Sequence, residues 1–398
     1  MKLIAFPYHD WRKAEAWGFR NRDLHILQEL ALHSAVDDIL VIDRPVSMTE
    51  RLARRGQWFV NGSVVAERSS HRRTGRVTRV GPHTAVLDIA VPDLIAPVLR
   101  RRAWWFDIFE DPMVLEMIDW ALRVLDLAEV SAIAWTPSVG PAVQRIQPAA
   151  FVFDSLDNWI SHPVLRRNEA EARIGYAALL PNATAVVAPS PASRTILQEW
   201  AANVVVIPNG VDVARFRARH ARPADLPAGP IVGYSGTIGV RVDQGLIGAV
   251  ADRLPEVSFV FVGPVRERSA IKDILGKPNI MLLGERHYET LPSYLQHFDV
   301  GWIPHRVGQG ETGGDPIKTY EYWAAGLQVV STRLDGFDRW SDQLHFMDSS
   351  ADGARIIQGL LDGSIAPLTT DVPPDRTWSA IAGEIVRLLR TPPEPPAS

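Results

Sequence analysis

Short apolar runs alternate with longer stretches of three-to-four-residue periodicity along the chain. Apolar runs too brief for helices, spaced by helical patterns, predict an α/β protein with mostly parallel strands. In the first half the runs predict strands at 3–6, 39–42, 132–135, 151–153, 185–188 and 204–207, with helices near 23–32, 113–127 and 192–200. Residues 58–90 alternate apolar and polar positions between the turn signals Asn61-Gly62 and Gly81-Pro82, which suits irregular strands or a hairpin. The segment Ala221–Pro230, rich in Pro, Gly and Ala, has no periodicity and reads as a linker. A second series follows, with strands at 231–234, 258–262, 280–283, 300–303 and 328–331 and helices near 245–253, 291–298 and 317–325. One more helix is expected at 378–389, before a Pro-rich end. This divides the chain into a domain over 1–220, a linker over 221–230, a domain over 231–370, and a terminal helix and tail over 371–398.

A chain of 398 residues suits two such domains. The net charge of −4 argues against nucleic acid as the main partner. It is unevenly spread: residues 1–220 hold 26 Lys/Arg against 24 Asp/Glu, and the remainder 16 against 22. With no cysteine and no apolar run of membrane-spanning length, a cytoplasmic protein is expected. No Asp-x-Asp pair or helical His pair suggests a metal site.

The richest chemistry lies in Asp315-Pro-Ile-Lys-Thr-Tyr-Glu-Tyr-Trp-Ala-Ala-Gly326, which follows the glycine-rich loop Val307–Gly314. It reads as a helix start, a glycine stop and then a buried strand. The N–H groups of a first helical turn point at whatever stands before them, and so bind anions. Lys318 is placed to neutralise a phosphate, and Glu321, one turn deeper, to accept hydrogen bonds from a sugar diol. A cation is mildly disfavoured at a helix N-terminus unless an anion joins it. A nucleoside diphosphate suits these parts best. The same loop spells Gly308-x-Gly310-x-x-Gly313, with Asp335 some twenty residues on, but it does not follow a domain's first strand, which counts against a dinucleotide site.

Four segments in order resemble the retaining nucleotide-sugar glycosyltransferases of GT-B fold, family 4: Val206-Ile-Pro-Asn-Gly-Val-Asp212, Ile231-Val-Gly-Tyr-Ser-Gly-Thr-Ile238, Asn279–Tyr294, and the 315–326 motif. Phe153-Asp-Ser-Leu-Asp-Asn-Trp159 is similar to a segment of a bacterial branch of that family. The resemblance implies two Rossmann-like domains with mainly parallel sheets facing a central cleft, the first binding the acceptor and the second the donor. It implies metal-independent transfer of a hexose-type sugar from a UDP-, GDP- or dTDP-sugar, with no separate cofactor, to a sugar, lipid-linked or small-molecule hydroxyl. Glu321 matches the second glutamate of the family's Glu-x7-Glu motif, which holds the donor ribose. Gly313 stands where the first is expected, so Glu311, Asp315 or the N–H groups of Gly313 and Gly314 would have to replace it.

On that reading the donor site is formed by Gly236, Thr237, Arg241, Arg286, His287, Gly313, Gly314, Asp315, Ile317, Lys318 and Glu321. Lys318, Asp157 and His162 are candidates for the reacting end, and Asp154 and Asp157 are expected to face the cleft. His9, Trp11 and Trp17 are expected at the acceptor, since aromatic rings stack on the apolar faces of sugars. Arg100-Arg-Arg-Ala-Trp-Trp-Phe106 pairs basic with interfacial aromatic residues, as a peripheral contact with an anionic membrane requires; a buried aromatic cluster edged by arginines is the plainer reading. The rival functions are a GT-B sugar-nucleotide epimerase and a nucleotide-sugar-binding protein without catalysis.

Overall fold

The fold is described from a computed structural model, over residues 1–53, 59–156, 159–160, 165–308 and 315–390. The chain divides into two compact units: 1–207 together with the residues from Ser379 onward, and 208–378.

The strands of the first unit are Lys2–Phe6 (β1), Asp38–Ile42 (β2), Val46–Ser47 (β3), Ser63–Ser70 (β4), Arg73–Gly81 (β5), Thr84–Val91 (β6), Ser131–Ala134 (β7), Phe151–Asp154 (β8), Ala185–Ala188 (β9) and Val204–Val206 (β10). Their order is β10-β9-β8-β7-β1-β2-β6-β5-β4, with β3 also on β6. Strands β10 to β6 run parallel, and β5 and β4 add an antiparallel end. The alternating stretch 58–90 therefore forms two long strands and part of a third parallel-paired one. Every residue of β6 is buried, as a strand covered on both faces requires, whereas β4 at the edge is largely exposed. The turn between β4 and β5 falls at His71 and Arg72, with φ of 47° and 64°, so the Asn61-Gly62 signal precedes the hairpin.

The strands of the second unit are Ile231–Ser235 (β11), Ser258–Val262 (β12), Ile280–Gly284 (β13), Val300–Ile303 (β14), Gln328–Thr332 (β15) and His345–Met347 (β16). They form one all-parallel sheet in the order β13-β12-β11-β14-β15-β16. The expected strands are present to within a residue at each end; β16 and the helix Ser350–Asp362 were not foreseen.

The division differs from the sequence reading at two places. Residues 208–230 belong to the second unit: Val211, Phe216 and Leu226 lie in its core, and Gln296 donates to Phe216 O at 2.7 Å. From Ser379 the helix Trp378–Arg390 belongs to the first unit, and it buries Ile381, Ile385 and Leu388.

Asp154 does not serve as an open carboxylate. It is fully buried and receives Arg22 Nε on both oxygens, at 3.0 and 3.1 Å, while Arg22 Nη2 donates to Ile207 O at 2.9 Å. This pair ties the helix Arg22–Leu32 to the end of β8 and to the last residue of the 1–207 segment. Removing one partner strands a buried charge, which costs about 3–5 kcal/mol. We expect Asp154→Ala to destabilise the chain by that amount in urea unfolding; a loss under about 1 kcal/mol would show that the pair is not a support.

Candidate functional site

The second sheet contains a topological switch. From β11 the chain runs outward through β12 and β13, then returns to the other flank of β11 as β14 and continues through β15 and β16. The loops after β11 and β14 therefore diverge beyond the carboxyl ends of neighbouring strands, and a crevice opens where parallel α/β sheets bind ligands. The two loops are cross-tied: Arg306 N donates to Arg241 O at 2.8 Å, Asp243 N to Pro304 O at 2.9 Å, and Val242 pairs with His305. After the second loop the chain enters the helix Ile317–Ala324, capped by Pro316 without a side-chain hydrogen bond.

Lys318 reaches back over the end of β11. Its Nζ lies 2.9 Å from Tyr234 Oη, 4.1 Å from the centre of that ring, and 3.3 Å from His305 Nε2. Tyr234 Oη in turn donates a hydrogen bond to Thr237 O at 3.0 Å. An ammonium can only donate, so His305 Nε2 faces it as an acceptor. Gly236 permits this approach: a β-carbon there would stand 3.0 Å from Lys318 Nζ, and the residue has φ of 129°. A cation is thus fixed at the mouth of the crevice, beside the positive end of a helix dipole.

Glu321 lies three residues on, hence on the same side of the helix. It is buried and accepts from Tyr288 Oη at 2.8 Å. Burial pushes its carboxyl from the ordinary 4.5 up to about 7, against the pull of Tyr288, Lys318 and Arg215. Burial and the neighbouring Glu321 in turn hold the Tyr288 hydroxyl well above its usual range. Arg215 lies 5.4 Å from the Tyr288 ring centre.

Asp315 occupies the approach to the helix and is itself buried. Its side chain accepts from Tyr320 Oη at 2.6 Å, from Asn209 N at 2.5 Å and from Arg339. Its own carbonyl oxygen accepts from the Asn209 amide. Asp315 therefore anchors the helix start to the Pro208-Asn209-Gly210 segment and does not present a carboxylate to a ligand, contrary to its expected place in the donor site.

Gly236, Thr237, Arg241, Ile317, Lys318 and Glu321 gather at the switch point, on the two loops and the helix start. Arg286 does not join them. Its guanidinium is held by Asp225 at 2.7 Å and by Tyr294 Oη at 2.9 Å, which fixes the loop after edge strand β13. His287 follows it, with Nδ1 at 3.7 Å from Glu289. Gly313, Gly314 and Glu311 lie outside the described residues, as do Asp157 and His162. Sequence reasoning missed Tyr234, His305, Arg215 and Asn209. His305 had a usable signal, standing two residues past the end of a strand.

The first unit has its own switch point, where β1 lies between β7 and β2. A small recess of about 10 Å³, room for a single water, opens there, lined in part by Tyr8, Arg44, Trp105, Thr136 and Ser138. His9 follows Tyr8 and is half-buried. Its Nδ1 lies 2.9 and 3.1 Å from the two oxygens of buried Asp23, which also accepts from the N–H groups of Tyr8 and His9. Trp11 is a core residue: it is buried against Phe19, its indole donates to Glu15, and its N–H donates to buried Asp43. Trp17 is covered by the Arg20 guanidinium, 4.8 Å from its ring centre. Of the three expected acceptor residues, only His9 stands at a strand end beside the recess.

Two α/β units with mainly parallel sheets, one carrying a cation-bearing helix start at its switch point, make up the GT-B fold. Residues 230–362, most of the second unit, match the family model of glycosyl transferases group 1. The chain is 28% identical over 137 residues to TuaH of Bacillus subtilis, whose name assigns it to teichuronic acid biosynthesis as a glycosyltransferase, covering 33% of this chain and 34% of TuaH. It is 28% identical over 219 residues to the phosphatidyl-myo-inositol mannosyltransferase of Mycolicibacterium smegmatis, covering 50% and 55%. The matches thus span between a third and just over half of these relatives. HepE of Anabaena, solved with UDP, superposes over 98% of both chains with a TM-score of 0.57 at 14% identity, and was also solved with UDP-glucose. That likeness establishes the shared fold.

The raised Glu321 carboxyl makes a pH prediction. Between 4.5 and about 7 the folded chain holds a proton that the unfolded chain releases. This contribution to stability is complete below pH 4.5, declines as pH rises, and is lost above about 7; at about 1.4 kcal/mol per unit it amounts to about 3 kcal/mol. In urea unfolding across pH 4.5–7.5, wild type should lose stability relative to Glu321→Gln by this order. Parallel profiles for the two proteins would contradict the buried, protonated carboxyl.

Proposed function

We propose that the chain is a retaining, metal-independent glycosyltransferase that moves a sugar from a nucleoside diphosphate to an acceptor hydroxyl. The observation that carries this reading is the placing of Lys318 and Glu321 on one side of the helix Ile317–Ala324 at the switch point. The diphosphate would sit before the helix start, against Lys318 and the N–H groups of the first turn. The ribose hydroxyls would donate to Glu321, which ionises more readily once it accepts them, since hydrogen bonds to the charged form favour it. Arg241, on the loop tied to His305, would supply a further positive charge to the phosphates. That HepE was solved with UDP and with UDP-glucose supports a sugar nucleotide as the donor.

As the bond from the anomeric carbon to the diphosphate oxygen breaks, negative charge grows on the leaving group. Lys318 and the helix dipole are already aimed at that charge, and preorganised groups of this kind stabilise a transition state without further rearrangement. On the retaining reading the acceptor oxygen attacks from the face that the diphosphate leaves, and a phosphate oxygen takes the acceptor's proton. The acceptor, a sugar or lipid-linked hydroxyl compound, would approach the first unit at the mouth of this recess, beside Tyr8 and the His9 that Asp23 orients.

Titration calorimetry with UDP, GDP and dTDP tests the donor site. Lys318→Ala and Glu321→Ala should each weaken the preferred nucleotide about tenfold to a hundredfold, the range for hydrogen bonds to charged groups. Unchanged affinity for all three nucleotides in both variants would sink the assignment. Incubation with labelled donor and a cell extract should then give a larger labelled glycoside. Interconverted sugar nucleotides would identify an epimerase instead, and binding without turnover a non-catalytic binder.

A further inference from the structure

Among the described residues twelve large apolar side chains stand exposed, and four fall within six consecutive positions: Leu94, Ile95, Val98 and Leu99, at 52%, 68%, 58% and 76% exposure. Single exposed apolar residues are ordinary, whereas such a cluster marks an interaction surface. Leu52, 67% exposed, adds to it: Thr49 Oγ1 donates to Leu94 O at 2.7 Å, and Leu52 lies one turn beyond Thr49 on the helix Met48–Ala53.

The segment is firmly built. Asp93 Oδ1 accepts from Ile95 N and Ala96 N, at 3.2 and 3.1 Å, and its Oδ2 accepts from the indole of buried Trp104 at 3.1 Å. Between these anchors the helix Ala96–Arg100 buries none of its five residues. The fold thus holds both ends of this stretch, seats Ala96 against the core and leaves Leu94, Ile95, Val98 and Leu99 exposed. Arg100 and Arg101 are exposed directly beyond it. Arg100 pairs with Asp107 at 2.6 Å; the Arg101 side chain has no hydrogen-bond or ion-pair partner among the described residues. The Arg102 guanidinium lies 5.5 Å from the ring centre of Trp105, which also lines the first unit's recess. The aromatic residues named from the sequence are the inner side of this structure, and the aliphatic residues before them are the outer side.

We propose that residues 94–101, with Leu52, form a docking surface for an anionic lipid bilayer. Leu94, Ile95, Val98 and Leu99 would enter the boundary between headgroups and acyl chains, and Arg101 and Arg100 would lie among the anionic headgroups. A second copy of the chain fits less well, because a two-fold contact through this patch would bring its arginines against their own equivalents. Among the described residues no helix is long and apolar enough to cross a membrane, so this contact is peripheral. The inference is independent of the donor site. It adds to the acceptor reading that the recess carrying Trp105 adjoins the bilayer, where a lipid-linked hydroxyl is presented.

Flotation of the full chain with vesicles tests it. Wild type should float with phosphatidylcholine vesicles containing a third phosphatidylglycerol, float poorly with phosphatidylcholine alone, and be released by high salt. The double variant Ile95→Ser/Leu99→Ser, at exposed positions, should keep its melting temperature and nucleotide binding yet stay in the unbound fraction. Arg101→Ser should weaken binding to the anionic vesicles about fivefold. The proposal is overturned if wild type does not float, if it binds neutral vesicles equally, or if the double variant floats like wild type. A wild-type dimer that the double variant dissociates, without flotation, would identify a second copy as the occupant and equally overturn it.

Discussion

The second unit depends on the buried carboxylate of Asp315. One oxygen accepts from Tyr320, one turn into the helix it precedes, and from Arg339; the other accepts from the backbone of Asn209, more than a hundred residues earlier. Burial alone would push this carboxyl toward its neutral form, and the donors around it oppose that. The result is a fixed starting point for the helix Ile317–Ala324. Lys318 and Glu321 have a defined direction because that start is fixed. A buried, fully engaged carboxylate is thus the support on which the proposed ligand-facing residues rest.

Two polar pairings then divide the helix's first turns between different tasks. Lys318 donates hydrogen bonds to Tyr234 and His305, two groups that carry no negative charge. Glu321 is met by a tyrosine hydroxyl inside the fold, where its charge is expensive and its proton is retained to about pH 7. One residue keeps charge at the surface of the crevice and the other defers it. Both states suit a site that receives a ligand with a negative end and a hydroxylated end.

Much of this was legible in the sequence where the signal is local. The parallel strands of the second unit are short apolar runs, and they lie within a residue of where the pattern put them, because a strand covered on both faces must be apolar throughout. Gly236, Lys318 and Glu321 stood in recognisable turn and helix-start contexts. The unreadable part is polar contact across long separations: Lys318 with Tyr234 is 84 residues apart, Asn209 with Asp315 is 106, and Arg22 with Asp154 is 132. No local pattern encodes such a partner, so Asp154 and Asp315 looked like open carboxylates and proved to be braces. Trp11 misled for a related reason, since an indole suits a core and a sugar equally and only its neighbours decide.

The return of the chain to the first unit at Ser379 alters how the molecule is partitioned. The second unit is an insertion, entered after Ile207 and left after Trp378, and the first unit is assembled from two pieces of sequence. A chain cut after the last strand of the second sheet would deprive the other unit of the helix whose Ile381, Ile385 and Leu388 are buried. The natural cassette for exchange with related proteins is therefore the interior stretch 208–378, with both of its ends joined to one host.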